Sequence, residues 1–138
     1  MNGEFVDTNV LVYAHDLTAG AKRRAAVALL ERLARERSGL LSTQVLAEFL
    51  VTVTRKIRNP LRIAAAVAIV EDFGKWSVFV PRVSDLAQAA RTADRYSIHF
   101  WDALVIRSAE ALGASVLWSE DLSPGQVYNG VQVRNPFE

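Results

Sequence analysis

Short apolar runs alternate along the chain with longer segments in which apolar residues recur every three or four positions. The recurring spacing is typical of helices with one buried face, and the short runs are typical of buried strands. The runs predict strands at residues 4–7, 40–41, 77–81, 114–119 and 131–134. The periodic segments predict helices at residues 21–37, 42–56, 60–73, 84–96 and 99–113.

Polar and helix-breaking residues mark the starts of three of these helices. Ser42 or Thr43 caps the second helix, because a side-chain oxygen ahead of a helix accepts a hydrogen bond from a first-turn amide. Pro60 opens the third helix, where its missing N–H leaves no hydrogen bond unmade. Ser84-Asp85 caps the fourth helix. These boundaries separate the helices from the strands between them.

The order of strands and helices predicts an α/β fold. Strands that are short and apolar on both sides belong in a mainly parallel sheet whose two faces are covered by helices. We therefore expect an α/β/α sandwich with a short, mainly parallel central sheet. In open parallel sheets, ligands bind at the carboxyl ends of the strands, so polar residues at those ends are informative.

Composition narrows the classes of function. The chain has 138 residues and is about half hydrophobic, which predicts one domain, residues 1–138, with a sizeable core. Sixteen basic and fifteen acidic residues nearly cancel, so nucleic acid would be bound by a local patch. The absence of cysteine excludes disulfides, thiolate zinc sites and cysteine catalysis. We expect no signal peptide, no membrane span and a cytoplasmic location.

Four acidic residues stand at predicted strand ends or inside apolar helical segments. Asp7 and Asp121 follow predicted strands, and Glu48 and Asp102 are flanked by apolar residues in predicted helices. Each has a structural explanation: Asp7 and Asp121 as turn residues, Asp102 as a first-turn acid, Glu48 as a solvated position. The alternative is that the four side chains converge on one site.

A shared site of this kind would need a cation. Carboxylates that lie close together repel one another, so either their pKa values rise or a cation compensates their charge. Because the chain has no cysteine and its histidines are His15 and His99, an all-oxygen site suits Mg²⁺ or Mn²⁺ rather than zinc. Such ions beside carboxylates commonly serve phosphoryl chemistry, where they bind a phosphate oxygen and activate an attacking water.

Four segments of the chain resemble a known family. They are FVDTNVLVYA, STQVLAEFLVTVTRK, YSIHFWDALVIRSAEALGA and LWSEDL with the ending VQVRNPF. In this order and spacing they resemble the PIN domain, and most of all the VapC-type toxins of prokaryotic toxin–antitoxin pairs. The resemblance covers essentially the whole chain. It implies a PIN-like α/β/α sandwich and a Mg²⁺- or Mn²⁺-dependent endoribonuclease that hydrolyses RNA phosphodiesters.

The resemblance also assigns residues to the site. The acids and the supporting hydroxyl and amide residues of the family fall on Asp7, Glu48, Asp102 and Asp121, and on Thr8, Asn9 and Ser119. Asp7 and Asp102 would bind the metal directly. Glu48 would bind it through water or orient the nucleophile, and Asp121 would complete the site.

Two positions complicate this assignment. His99 stands three residues before Asp102, where relatives often have a small hydroxyl residue that caps the helix. Glu120 is an extra acid directly beside Asp121. Because neighbouring residues of a strand point to opposite sides, we expect Asp121 rather than Glu120 to face the metal.

The resemblance further implies partners. They are a VapB-type antitoxin, an RNA substrate such as transfer or ribosomal RNA, and a second copy of the chain in a homodimer. Two alternatives stay open: a housekeeping PIN-domain nuclease that processes RNA, and a catalytically inactive PIN-like binding module. Phosphatases of the haloacid dehalogenase type are disfavoured, because Asn9 stands where they need a second aspartate.

Basic and aromatic residues offer further candidates for RNA contacts. The densest basic stretch consists of Arg55, Lys56, Arg58 and Arg62. We interpret this stretch as a solvated face, with contact to an RNA backbone as the alternative. Trp101 and Trp118 lie in apolar runs, so we expect them in the core rather than stacked on bases.

Overall fold

Strands and helices alternate along the computed structural model, which describes residues 3–138. The first two residues of the predicted domain, Met1 and Asn2, lie outside the described residues. The helices are α1 (Thr8–Ala14), α2 (Ala21–Glu36), α3 (Thr43–Arg55), α4 (Ile63–Phe73), α5 (Val83–Tyr96) and α6 (Phe100–Ala111). The strands are β1 (Glu4–Val6), β2 (Gly39–Ser42), β3 (Ser77–Phe79), β4 (Val116–Trp118), β5 (Val127–Tyr128) and β6 (Val131–Arg134).

The strands form one sheet in the order β3-β2-β1-β4-β6-β5. Every pairing is parallel except that of β5 with β6, which confirms the predicted mainly parallel sheet. The strand order reverses beside β1, which lies between β2 and β4. Such a reversal opens a crevice at the carboxyl ends of β1 and β4. Asp7 directly follows β1, and Ser119 directly follows β4.

The predicted helix starts agree with the structure at α3, are shifted by one residue at α5 and fail at α4. The Ser42 hydroxyl caps α3 by accepting a hydrogen bond from the Val45 amide at 3.2 Å, as predicted. Helix α5 begins at Val83, ahead of Ser84, because Asp85 reaches back and accepts a hydrogen bond from the Arg82 amide at 2.8 Å. Helix α4 begins at Ile63 with Arg62 as its N-cap, so the prediction that Pro60 opens this helix is wrong.

The sequence did not predict helix α1 or strand β5. Helix α1 has only seven residues, and its Val10, Leu11 and Val12 are buried. A short run rich in β-branched residues carries no helical period, and packing decides its conformation. Strand β5 has two residues and forms only by pairing with β6. Both elements depend on contacts that a local pattern does not contain.

A packed core fills the space between sheet and helices. Its largest fully buried side chains include Phe5, Phe49, Leu11, Leu33 and Leu41. Within residues 3–138, every helix is too short or too polar to pass through a lipid bilayer.

Gly39 is expected to tolerate no side chain. A methyl group at this position would overlap the indole of Trp76, which is held edge-on against Phe73 with ring centroids 5.2 Å apart. Gly39→Ala should therefore lower the free energy of unfolding by about 1–3 kcal/mol, the usual result of overpacking. Denaturant titration measures this loss. Ser77→Ala, at an exposed position in β3, is the control, and equal stability of the two variants would contradict the expectation.

Candidate active site

A cavity of about 590 Å³ lies at the carboxyl ends of β1 and β4, and all four candidate acids line it. Asp7 follows β1 directly and caps α1, where its Oδ1 accepts a hydrogen bond from the Thr8 amide at 2.7 Å. Glu48 lies in the middle of α3, and Asp102 in the first turn of α6. Asp121 lies in the loop after β4. Two strand ends and two helices thus bring the four carboxylates to one opening.

The three supporting residues each donate a hydrogen bond to one of these acids. The Thr8 hydroxyl donates to Glu48 Oε1 at 2.8 Å, and the Ser119 hydroxyl donates to Asp7 Oδ2 at 2.8 Å. The Asn9 amide donates to both Asp121 carboxylate oxygens, at 3.2 and 3.1 Å.

Ser119 also connects two of the acids. Its Oγ accepts a hydrogen bond from the Asp121 amide at 3.1 Å while its hydroxyl donates to Asp7. Ser119 is fully buried, so this geometry is held by the surrounding packing. The loop that carries Asp121 is therefore tied to the end of β1.

Burial and the charges of neighbouring acids raise the pKa values of three of the four carboxyl groups. Burial, together with the charges of Asp121 and Asp102, raises the pKa of Asp7 from 3.8 to about 7, although hydrogen bonds from Ser119 and Thr8 oppose the rise. Burial first, and then the charges of Asp121 and Glu48, raise the pKa of Asp102. Burial and the neighbouring Glu120 raise the pKa of Asp121. The pocket holds an excess of negative charge that a bound cation would relieve.

Asp7 is expected to destabilise the metal-free protein at neutral and higher pH. Its pKa is about 7 in the folded state and 3.8 as a free side chain, so the unfolded state loses its proton first as pH rises. Stability should be unaffected below pH 3.8, fall between pH 3.8 and 7, and stay low above that range. The difference corresponds to at most about 4 kcal/mol.

Urea titrations of the wild type and Asp7→Asn in EDTA measure this effect. The variant should be the more stable protein at pH 8, and its advantage should vanish near pH 4. The exposed Asp94→Asn is the control and should give no such crossover. Parallel stability curves for wild type and Asp7→Asn would contradict the expectation.

The residues of the cavity fit a divalent cation by chemistry and by charge. The donors are carboxylate, hydroxyl and amide oxygens, which Mg²⁺ and Mn²⁺ prefer. Across residues 3–138, however, no three acidic or histidine side chains already form a group close enough to surround one ion. Asp7, Glu48 and Asp121 are each held by a hydroxyl or amide donor instead, so the carboxylates would move closer together around a metal.

Glu120 faces away from the cavity, and Asp121 faces into it. The Glu120 carboxylate accepts a hydrogen bond from the Tyr13 hydroxyl at 2.5 Å and pairs with Lys22 Nζ at 2.9 Å. The Lys22 ammonium also lies over the Tyr13 and Phe137 rings, 4.9 and 5.5 Å from their centroids. Glu120 is therefore committed to a structural cluster behind the site.

The two histidines lie outside the group of acids. His99 precedes the first turn of α6, where its side chain makes no capping hydrogen bond to that helix, and its charge lowers the pKa of Asp102. His15 Nδ1 lies 2.8 Å from the Leu11 carbonyl oxygen, and the ring packs edge-on against Phe49. His15 is thus part of the packing.

Trp101 was expected in the core and is instead 61% exposed. It lines the cavity beside Asp102, together with Gln44, Thr52 and Lys56 of the α3 wall. The apolar run around Trp101 predicted burial. This holds for its neighbours Ala103 and Leu104 but not for Trp101 itself. The other tryptophan of an apolar run, Trp118, is half-buried and donates a hydrogen bond to Glu4 Oε1 at 2.8 Å.

The fold and this acidic cavity define an α/β protein with an oxygen-donor site at the point where the strand order reverses. Residues 5–128 match the PIN domain family. The chain therefore belongs to the PIN domain family. The predicted PIN-like sandwich is confirmed. No curated protein matches the chain.

Several solved structures share this fold. The DNA-bound VapBC complex of Salmonella typhimurium superposes with a TM-score of 0.67 at 17% identity, covering 99% of each chain. VapC20 of Mycobacterium tuberculosis, a toxin that cleaves the sarcin–ricin loop, gives a TM-score of 0.67 at 20% identity, covering 86% of this chain and 90% of its own. VapBC2 of Rickettsia felis, bound to a promoter DNA fragment, gives a TM-score of 0.66 at 17% identity, covering 96% of this chain and 97% of its own.

Proposed function

We propose that the chain is a metal-dependent endoribonuclease that acts as the toxin of a VapBC-type pair. The observation that carries this proposal is the meeting of Asp7, Glu48, Asp102 and Asp121 at one cavity in a PIN domain. A catalytically inactive PIN-like binding module would have no need to keep all four acids at one cavity. The similar folds of VapC toxins support the proposal that the chain acts as a toxin.

Mg²⁺ or Mn²⁺ would be held by Asp7 and Asp102. Glu48 would bind it through water or orient the nucleophile, and Asp121 would complete the site directly or through water. Bound there, the ion would polarise a phosphate oxygen and lower the pKa of a water molecule. The donor set and the excess negative charge support this assignment.

The side chains around the acids would orient the reaction. Thr8 restricts the Glu48 carboxylate by its hydrogen bond, which leaves the second carboxylate oxygen of Glu48 available to orient a water. Ser119 holds Asp7, and Asn9 holds Asp121 through both oxygens. We propose that these three residues keep the carboxylates in rotamers from which small movements complete the site. The reaction would be hydrolysis: the oxygen of water would form a bond to the phosphorus of an RNA phosphodiester, the bond from phosphorus to one ribose oxygen would break, and that oxygen would leave as a hydroxyl group with a proton from the water.

The proposed substrates are structured cellular RNAs, with transfer and ribosomal RNA as the classes to test first. Cleavage of the sarcin–ricin loop by VapC20 supports the second class. Incubating the purified chain with each RNA and mapping the 5′ ends of the products would identify the substrate and the cleaved bond.

The proposed partners are a VapB-type antitoxin and a second copy of the chain in a homodimer. We propose in addition that the chain forms a single domain and acts in the cytoplasm. A free ribonuclease would harm its own cell, so the toxin needs an inhibitor. A peptide carrying an arginine suits the acidic cavity, because a guanidinium pairs with two carboxylate oxygens at once. The VapBC complexes with similar folds support this partner.

Expression in a bacterial host tests the toxin proposal. The chain expressed alone should arrest growth, and co-expression of its antitoxin should restore growth. Asp7→Asn expressed alone should leave growth unchanged while the protein stays soluble. If soluble, folded wild-type protein does not affect growth yet cleaves RNA in vitro, the housekeeping nuclease becomes the better interpretation.

A further inference from the structure

The cavity extends beyond the four acids along one stripe of α3. Gln44, Glu48, Thr52 and Lys56 follow one another at intervals of four residues, and all of them line the cavity. Residues at this interval lie one above the other on a helix, so Lys56, the residue directly after α3, stands about 12 Å from Glu48 along the helix axis. The stripe therefore runs from the negative end of the cavity to a positive charge.

Trp101 forms part of the opposite wall. It belongs to the first turn of α6, directly beside Asp102, and its side chain is 61% exposed. The Gln44 amide donates a hydrogen bond to the Trp101 carbonyl oxygen at 3.2 Å, which joins the two walls. The Trp101 ring meets the Phe100 ring edge-on, with ring centroids 5.2 Å apart, so a face of the Trp101 indole stays available. A large aromatic surface is thus fixed at the mouth of the cavity.

We propose that Trp101 and Lys56 form a subsite for unpaired RNA of the substrate. One base stacks on the indole of Trp101, and a phosphate of a different nucleotide, further along α3, binds Lys56. This inference rests on the proposed ribonuclease function and adds that the enzyme reads single-stranded RNA. Every base has a π-face, so stacking on an aromatic side chain binds unpaired RNA with little regard to sequence.

Charge and shape favour RNA over an apolar protein segment at this subsite. Unpaired RNA carries flat rings and anions along one chain, and the cavity offers an exposed indole beside the start of α3 and an ammonium group beyond its end. An apolar side chain would cover Trp101 but leave Lys56 without a partner. Bases inside a duplex are already stacked on one another, so a paired strand cannot use the indole in the same way.

Tryptophan fluorescence of the non-cleaving Asp7→Asn protein tests the subsite. The probe is a single-stranded RNA of about ten nucleotides, compared with the same RNA annealed to its complement. The single strand should quench the fluorescence and the duplex should not. The chain has three tryptophans, and Trp101→Phe should remove the quenching while keeping most of the affinity, because phenylalanine still stacks.

Two further variants separate stacking from charge. Trp101→Leu should weaken single-strand binding roughly five- to a hundredfold without altering its salt dependence. Lys56→Gln should reduce the slope of log affinity against log salt by about 0.7, the contribution of one phosphate contact to a single strand. The controls are Leu17→Ala and Lys75→Gln, at exposed positions outside the cavity, and both should bind RNA like the parent protein.

The outcomes distinguish this inference from the proposed function. Equal affinity of the Trp101→Leu and Trp101→Phe variants, or equal binding of duplex and single strand, overturns the subsite while RNA cleavage by the otherwise unaltered chain persists. Loss of a dimer in Trp101→Leu by sedimentation, with unchanged RNA affinity, also overturns it and assigns the indole to a protein contact. If the unaltered chain cleaves no RNA with Mg²⁺ or Mn²⁺, the proposed function itself fails.

Discussion

Replacing Asp7 with asparagine is expected to lower RNA cleavage by at least about a hundredfold. The substitution keeps the shape of the side chain but removes a charge that we propose binds the metal, whose charge stabilisation is worth several kcal/mol. Asp7 is buried, and Ser119 and Thr8 hold its two oxygens, so its carboxylate is fixed in the cavity. Single-turnover cleavage of a labelled RNA measures the loss.

The same substitution separates catalysis from folding. Asp7→Asn is expected to be more stable than the wild type at pH 8, so a fall in activity would not reflect unfolding. Asp94→Asn, exposed on α5, provides the matched control and should cleave at the wild-type rate. Activity of Asp7→Asn within a few-fold of wild type would remove Asp7 from the catalytic group.

Removing divalent metal is expected to reduce cleavage by at least about a hundredfold, because the carboxylates repel one another without a cation. Adding Mg²⁺ or Mn²⁺ in excess should restore the activity. Metal should also stabilise the folded protein, by about 2.7 kcal/mol at a concentration one hundred times the dissociation constant. Thermal unfolding at pH 8 with and without Mg²⁺ measures this second effect independently of RNA.

Asp7→Asn and Asp94→Asn again serve as a pair in the thermal experiment. Mg²⁺ should raise the unfolding temperature of Asp94→Asn as much as that of the wild type, and that of Asp7→Asn much less. Full cleavage in EDTA would exclude the metal-dependent reaction. Stabilisation of all three proteins to the same extent would place the metal elsewhere on the chain.

Much of the fold could be predicted from local pattern. The alternation of apolar runs with helical periods located five of the six helices and indicated a mainly parallel sheet. These features follow from side-chain periodicity, which a sequence contains directly. Helix α1 was missed, because its buried side chains have no free face from which a period could be recognised.

The candidate site could be named from the sequence, but its connections could not. Acids at strand ends and in apolar helices singled out the four carboxylates, and the family resemblance added Thr8, Asn9 and Ser119. Which donor holds which acid depends on residues far apart in the chain: Thr8 and Glu48 are 40 positions apart, and Ser119 and Asp7 are 112 apart. The catalytic and metal-binding roles of the site residues stay predictions.

The sequence by itself determined the chemical types at the site, the α/β class and the strand ends where the acids would gather. The sequence predicted Asp121 rather than Glu120 at the site, but only the tertiary structure decided that Glu120 pairs with Lys22 behind it. It also decided that Trp101 is exposed at the cavity mouth within an apolar run. The physical reason is that periodicity specifies which face of an element is apolar, whereas exposure and pairing depend on which other elements cover that face.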